Sequence, residues 1–181
     1  FDSGPGNMLL DAWAKQHINK DYDANGTWAA TGVVLDNLLT HMLAAPYFAT
    51  PPPKSTGRDL FNDDWLQQHL LYPHLRPQDV ARTLVALTAH SIVDALCKCG
   101  ELDEVYLCGG GAHNALLVSS LQALLGNVSV RTTNNLGIDV DWVEAVAFAW
   151  LAKQTIENNP SNLPAVTGAK GLRVLGAIYP K

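Results

Sequence analysis

Residues able to do chemistry gather at four places in the chain. Phe1-Asp-Ser-Gly-Pro-Gly-Asn7 sets one carboxylate, Asp2, between an apolar residue and a glycine-proline turn. A carboxylate there can project into a cleft above strand ends and act as general base toward a water or a sugar hydroxyl. The helix that follows would offer free N–H groups to an anion or a polarised hydroxyl. The same spacing also suits an aspartate that only bonds the amides of its own turn. Cys108-Gly-Gly-Gly-Ala-His-Asn114 places Gly109, Gly110 and Gly111 between an apolar run and a helix-forming one. Without Cβ atoms, backbone N–H groups can approach phosphate oxygens, and the next helix dipole favours negative charge. This is not a Walker loop, because no Gly-Lys-Ser/Thr follows; a tight turn with no ligand is the plainer alternative. His113 reads as an exposed loop histidine.

Pro53-Lys-Ser-Thr-Gly-Arg58 carries two cations and two hydroxyls beside a glycine. It can orient a carboxylate or phosphate, and it is equally compatible with a solvated loop. Asp141-Trp-Val-Glu144 has capping-box spacing, with an aspartate at the cap and a glutamate three residues on. Facing a cleft, Glu144 would instead accept hydrogen bonds from sugar hydroxyls, and the spacing does not choose between the two. Trp13, Trp28, Trp65, Trp142 and Trp150 read as core or rim residues. Cys97, Cys99 and Cys108 are an odd set without framework spacing, which points to reduced thiols and a cytoplasmic setting. One Cys-x-Cys pair supplies too few ligands for a metal, so no metal ligand is assigned.

The elements that would position these residues follow from periodicity and breakers. Asn7 is placed to cap a helix through Trp13. Residues 20–26 are turn-like, and Thr27 opens a second helix with Val34, Leu38 and Met42 on one face. The prolines between Pro46 and Pro53 exclude regular structure. Asp63 or Asp64 caps a short helix through Leu71. Pro77 starts a long helix to about Lys98, with Val80, Leu84, Leu87, Ile92 and Leu96 inward. Residues 104–108 read as a buried strand, followed by the glycines and a helix from about Asn114 with Leu117, Val118, Leu121, Leu124 and Leu125 inward. Residues 128–132 alternate like a strand, and the βα order pairs them in parallel with 104–108. Asp141–Glu157 is a helix with Val143, Val146, Ala147, Trp150 and Leu151 on its inner face, and 172–178 forms a last strand. The class is α/β.

The 181 residues suggest one domain, with 48% hydrophobic and 16% charged residues supporting a real core. A net charge of −5 gives no basic field for nucleic acid or an anionic membrane. No apolar run is expected to span a bilayer, and the polar, glycine-rich start does not read as a secretory signal. Opening on Phe-Asp and a Gly-Pro-Gly turn, the sequence is expected to be a piece of a longer protein.

Taken together, the motifs resemble the anhydro-N-acetylmuramic acid kinase family. The resemblance rests on FDSGPGNMLLDAW at 1–13, PKSTGRDLF at 53–61, VYLCGGGAHN at 105–114, VEAVAFAWLA at 143–152 and NLPAVTGAKGLRVLGAIYP at 162–180. It implies the sugar kinase, actin and heat-shock chaperone superfamily, whose two α/β lobes close over ATP around ribonuclease-H-like cores with mixed sheets and flanking helices. Residues 1–181 would be the C-terminal lobe. The N-terminal lobe, with its glycine-rich phosphate loop, has no counterpart here, and these residues alone are expected to be inactive. Ser3 stands where the resemblance leads one to expect a threonine. The implied reaction is ATP-dependent phosphorylation of O6 of 1,6-anhydro-N-acetylmuramic acid, with water opening the anhydro ring. Asp2 would activate that water, Gly109, Gly110 and Gly111 would line the ATP cleft, Glu144 would bind the sugar, and Mg²⁺ would bridge the phosphates. The resemblance also implies a homodimer. Another sugar kinase of the superfamily, or a non-catalytic nucleotide-binding scaffold, are the alternatives.

Overall fold

The computed structural model describes residues 1–71 and 74–180. Eight α-helices and two β-strands run in the order α1 (Met8–Ile18), α2 (Asp36–Leu43), α3 (Pro46–Ala49), α4 (Asp63–His69), α5 (Pro77–Cys97), β1 (Glu104–Leu107), α6 (Ala115–Leu125), β2 (Ser129–Thr132), α7 (Val143–Ile156) and α8 (Pro164–Thr167) among the described residues.

Helix α5 is the axis of the molecule. Pro77 at its first turn gives up an N–H that would have no partner there anyway. Val80, Ala81, Leu84, Val85, Leu87, Ala89 and Val93 are all buried, with α1, α2, α6 and the turn at Ala29–Thr31 packed around the helix. At about 1.5–3 kcal/mol for each large aliphatic side chain taken out of water, this helix supplies much of the driving force for folding. It is long and apolar enough to cross a membrane, contrary to the reading of the sequence. Its buried Asp79, Thr83 and Thr88 instead tie it to the rest of the protein. Thr88 donates to the carbonyl of Gly6 at 2.9 Å, and the Trp13 indole donates to the carbonyl of Pro77 at 2.8 Å. Asp79 takes both a two-pronged contact from Arg76, at 2.8 Å each, and the amide of Val33 at 2.9 Å.

Several expected boundaries move. Thr27 does not open a helix. The Asp23 carboxylate accepts the amides of Trp28 and Ala29, which winds this stretch into short 3-10 turns, and the helix begins only at Asp36. Between them Gly32 lies so close to α5 that a Cβ would sit 2.1 Å from the Gln78 carbonyl oxygen. Pro46–Ala49 forms one helical turn where none was expected. Asn7 precedes α1 without a capping bond. Asn62, rather than Asp63 or Asp64, caps α4 by accepting the Trp65 amide at 2.9 Å.

Strands β1 and β2 pair in parallel, with Glu104 opposite Ser129 and Leu107 opposite Thr132. They are joined through α6, as their order requires. The expected mixed sheet is therefore a two-stranded parallel one among the described residues. Residues 172–178 add no strand: Asn162 accepts the Arg173 amide, the Ser161 amide donates to the Arg173 carbonyl, and the Thr155 hydroxyl donates to the carbonyl of Leu175. On α6, Leu117 and Leu121 are buried as expected, whereas Leu124 faces out. Helix α7 has no buried residue at all, so its expected inner face is not formed among the described residues.

Candidate functional site

The glycine-rich start of the chain is tied down. The Asp2 amide donates to the Lys54 carbonyl at 3.3 Å, and the Tyr47 hydroxyl donates to the Asp2 carbonyl at 2.7 Å. One carboxylate oxygen of Asp2, Oδ2, accepts from the Ser55 hydroxyl at 2.8 Å and the Thr56 amide at 2.9 Å. The other, Oδ1, has no protein partner among the described residues. The Thr56 amide, then the Ser55 hydroxyl, hold this carboxyl below the ordinary aspartate range, since both bonds favour the charged form. Asp2 therefore does more than bond its own turn: the second motif of the sequence supplies its partners.

The supporting residues are themselves shaped by these neighbours. Burial first, then the Asp2 and Asp59 carboxylates, push the Tyr47 phenol up, which keeps it a donor. Lys54 stacks its ammonium 4.5 Å over the Tyr47 ring and donates to the Tyr47 carbonyl at 3.1 Å. Burial, with a smaller push from Lys98, lowers its pKa. The Thr56 hydroxyl oxygen is buried without a partner beside this cluster. Arg58 is exposed and takes no part in it.

The glycine loop follows β1 and is built around Gly109, whose φ of 71° is open to glycine at little cost. Its amide donates to the Val140 carbonyl at 2.8 Å. Residues 110–113 then make one 3-10 turn, and Asn114 caps α6 by accepting the Leu117 amide at 3.1 Å. The amides of Gly110 and Gly111 have no protein acceptor among the described residues. A Cβ on Gly111 would come 3.6 Å from the Asn7 side chain, so the last residue of the first motif lies against the glycine loop.

A cavity of about 250 Å³ opens there, lined by Asn7, Leu10, Asp11, Tyr22, Asp23, Asn25, Gly110, His113 and Asn114. Burial pushes the Asp11 carboxyl up. The lining holds two aspartates and no lysine or arginine, so the cavity suits a neutral, hydrogen-bonding group better than a phosphate. The volume lies just below the usual range for small-molecule pockets, about 300–1,000 Å³.

His113 is more than a bare loop histidine. Its Nε2 lies 2.9 and 3.1 Å from the two carboxylate oxygens of Asp141. Asp141 therefore does not cap α7. Trp142 occupies the cap position with no side-chain bond, and Glu144 sits in the first turn, exposed and outside any capping box. Glu144 makes no side-chain hydrogen bond or ion pair among the described residues. Sequence reasoning missed Asp11 and the His113–Asp141 pair. Asp11 falls on the polar side of an ordinary amphipathic stretch. The pair joins residues 28 apart.

The five motifs that carried the resemblance thus largely converge. The first meets the second through Asp2 with Ser55 and Thr56, and the third through Asn7. The third meets the lead-in to the fourth through His113 and Asp141. The fifth reaches the second where Gly168 lies against Pro53. A statistical model of one family, anhydro-N-acetylmuramic acid kinase, matches residues 1–181. The chain belongs to that family. Among curated members, the anhydro-N-acetylmuramic acid kinase of Coxiella burnetii (strain RSA 493 / Nine Mile phase I) is 54% identical over 181 residues, covering 99% of this chain and 48% of the relative. That of Nitrosomonas europaea is 55% identical over 185 residues, covering 99% and 50%. That of Pasteurella multocida is 55% identical over 184 residues, covering 100% and 49%. The chain spans about half the length of the family members it matches. Among the described residues, no group of three or more histidine, cysteine or acidic side chains could hold a metal ion.

Proposed function

We propose that residues 1–181 form the C-terminal lobe of a two-lobed kinase with a ribonuclease-H-like core, and that the whole protein phosphorylates 1,6-anhydro-N-acetylmuramic acid. The observation that carries this reading is the Asp2 site. Four hydrogen bonds fix the residue, its carboxylate is held ionised, and one oxygen is left open. Oδ1 takes a proton from water; the water oxygen bonds to the anomeric carbon; the anhydro C–O6 bond breaks; and O6 receives the γ-phosphoryl group as ADP leaves. A carboxylate held below its usual pKa is a weak base in water, and closing the second lobe over it strengthens it by desolvation. Glu144, exposed at the first turn of α7, serves the sugar.

ATP fits the third motif in two parts. The cavity beside Asn7, Asp11 and His113 takes the base and ribose, where acceptors and not cations are wanted. The free amides of Gly110 and Gly111 face the phosphates. Mg²⁺ carried on ATP and the other lobe would offset the phosphate charge, since the described residues include no group of metal ligands. The free, exposed cysteines suit a cytoplasmic setting, the net charge of −5 gives nucleic acid nothing to hold, and a homodimer is part of the reading by family resemblance. The test is ATP-dependent conversion of the anhydro sugar to N-acetylmuramic acid 6-phosphate, followed by mass spectrometry in a protein of family length carrying these residues. Asp2→Asn should slow it by about 10²–10⁴-fold. Near-normal turnover in the folded variant would remove Asp2 as the base.

A further inference from the structure

A groove of about 560 Å³ opens between α2 and the end of α4 and shares no lining residue with the cavity beside the glycine loop. Two histidines line it. His41 stands in the last turn of α2 and is exposed; His69 is the last residue of α4 and is half-buried. Their ring centroids lie 4.8 Å apart, with the planes inclined at 49°. The Trp65 indole also packs on His69, at 4.1 Å between centroids. Nδ1 of His69 is 2.7 Å from the Trp65 carbonyl oxygen. A carbonyl can only accept, so Nδ1 carries the proton, and the neutral ring keeps its lone pair on Nε2. Among the described residues, neither that Nε2 nor either ring nitrogen of His41 has a hydrogen-bond partner.

An imidazole whose Nδ1–H is fixed on a backbone carbonyl is the form in which histidine ligates metals. The outer bond sets the tautomer, orients the ring and makes the other nitrogen more basic. The spacing suits a pair of such ligands: with metal–nitrogen bonds of about 2.0–2.1 Å and tetrahedral angles, two imidazoles on one ion have centroids roughly 5 Å apart. Both residues also sit at helix C-termini, whose partial negative charge favours a cation, and Asp36 adds a carboxylate to the lining. We propose that His41 and His69 bind one late first-row divalent ion (Zn²⁺, Ni²⁺ or Cu²⁺), which joins the end of α2 to the end of α4. Imidazole nitrogen selects these ions over Mg²⁺ and Ca²⁺, which take oxygen ligands. The site is therefore chemically separate from the Mg²⁺ carried on ATP, and it stands independently of the kinase reading. Two protein ligands fall short of a group of three, which the described residues do not supply. Water fills the remaining positions, and the ion is held reversibly. Ring packing alone is the competing account, and it needs rings but not nitrogens.

Helices α2 and α4 pack into the buried core through Leu38, Met42, Trp65 and Leu66, so residues 1–181 serve for the test. Freed of metal with EDTA and titrated with ZnCl₂ in a calorimeter, they should bind Zn²⁺ saturably, and excess MgCl₂ should not compete. His41→Phe keeps a ring against His69 and removes the nitrogens. Its Zn²⁺ affinity should fall at least about tenfold, and the protection that Zn²⁺ gives against urea unfolding should fall with it. His17→Gln, in α1, should change neither. Electron paramagnetic resonance of bound Cu²⁺ should show coupling to two imidazole nitrogens in the wild type and to one in His41→Phe. Absence of saturable Zn²⁺ binding, or equal affinity in wild type and folded His41→Phe, would overturn the proposal and leave the pair as ring packing. A wild-type copper spectrum with a single coupled nitrogen would overturn it as well, and that measurement requires no variant to fold.

Discussion

Residues 8–121 and residues 129–180 are made of similar material and fold to different degrees of enclosure. Among the described residues, nineteen of the twenty buried hydrophobic side chains lie at or before Leu121, and fifteen of the nineteen large exposed ones lie at or after Leu124. The first region is a finished core around α5. The second has regular elements but little beneath them. Helix formation and burial are thus separable outcomes: α7 is helical because its residues favour a helix, and exposed because nothing among the described residues covers it.

Four measurements on residues 1–181 by urea unfolding would break or sharpen this contrast. Gly32→Ala should be the most damaging. A methyl group 2.1 Å from the Gln78 carbonyl has no room, and forcing the segment off α5 should cost at least about 3 kcal/mol. Leu84→Ala, at a site 1% exposed against several helices, should cost about 3 kcal/mol. Values below about 1 kcal/mol for both would mean that the first region is not the finished core described here.

Asp2→Asn should come next, at or below about 1 kcal/mol, because its bonds are solvent-exposed. Its sign with pH is fixed by the depressed pKa. The carboxylate adds stability above the ordinary aspartate value near 4, and that contribution disappears as pH falls through its lower folded-state value. Wild type and variant should therefore differ at neutral pH and converge in acid. Asp11 has the opposite sign, since burial raises its pKa: ionisation costs stability as pH rises through that value. A gap between wild type and Asp2→Asn that widened in acid would contradict the hydrogen bonding at Asp2. Phe148→Ser should change least, within about 0.5 kcal/mol, as surface substitutions do. A loss above 2 kcal/mol would show that α7 is packed in solution.

What was legible in the sequence is what depends on near neighbours. Pro77 and the apolar spacing after it marked α5 nearly to the residue. The strand–glycine–helix–strand order predicted the parallel pairing of β1 and β2. Breaks came where a distant or competing group took over. Asp23 captured the amides that Thr27 was expected to start into a helix, and Asn62 outcompeted two adjacent aspartates as a cap. Asp141 had the spacing of a cap but was claimed by His113, a partner that periodicity cannot reveal. The candidate site was legible in parts: Asp2 and the glycines stood out by type. Their partners Ser55, Thr56 and Asn7 came from a loop of ambiguous composition and an expected helix cap. The inner face assigned to α7 required a neighbour, and periodicity cannot say whether one is present.

The strip from Val33 to Leu35 carries a last consequence. It is extended, but no strand among the described residues pairs with it; two side chains of one helix read its backbone instead. Asp79 takes the Val33 amide and Thr83 takes the Leu35 amide. Two residues of extended chain advance about 6.6 Å and four residues of helix about 6 Å, so the two repeats fall into step over one helical turn. The match is a gauge of length and is indifferent to side chains. Over evolutionary time such a strip can change its lettering freely at Val33 and Val34, while inserting or deleting a single residue puts both amides out of reach at once. The signature of this feature across descendants of the sequence is drift in composition with a fixed count of residues between Gly32 and α2.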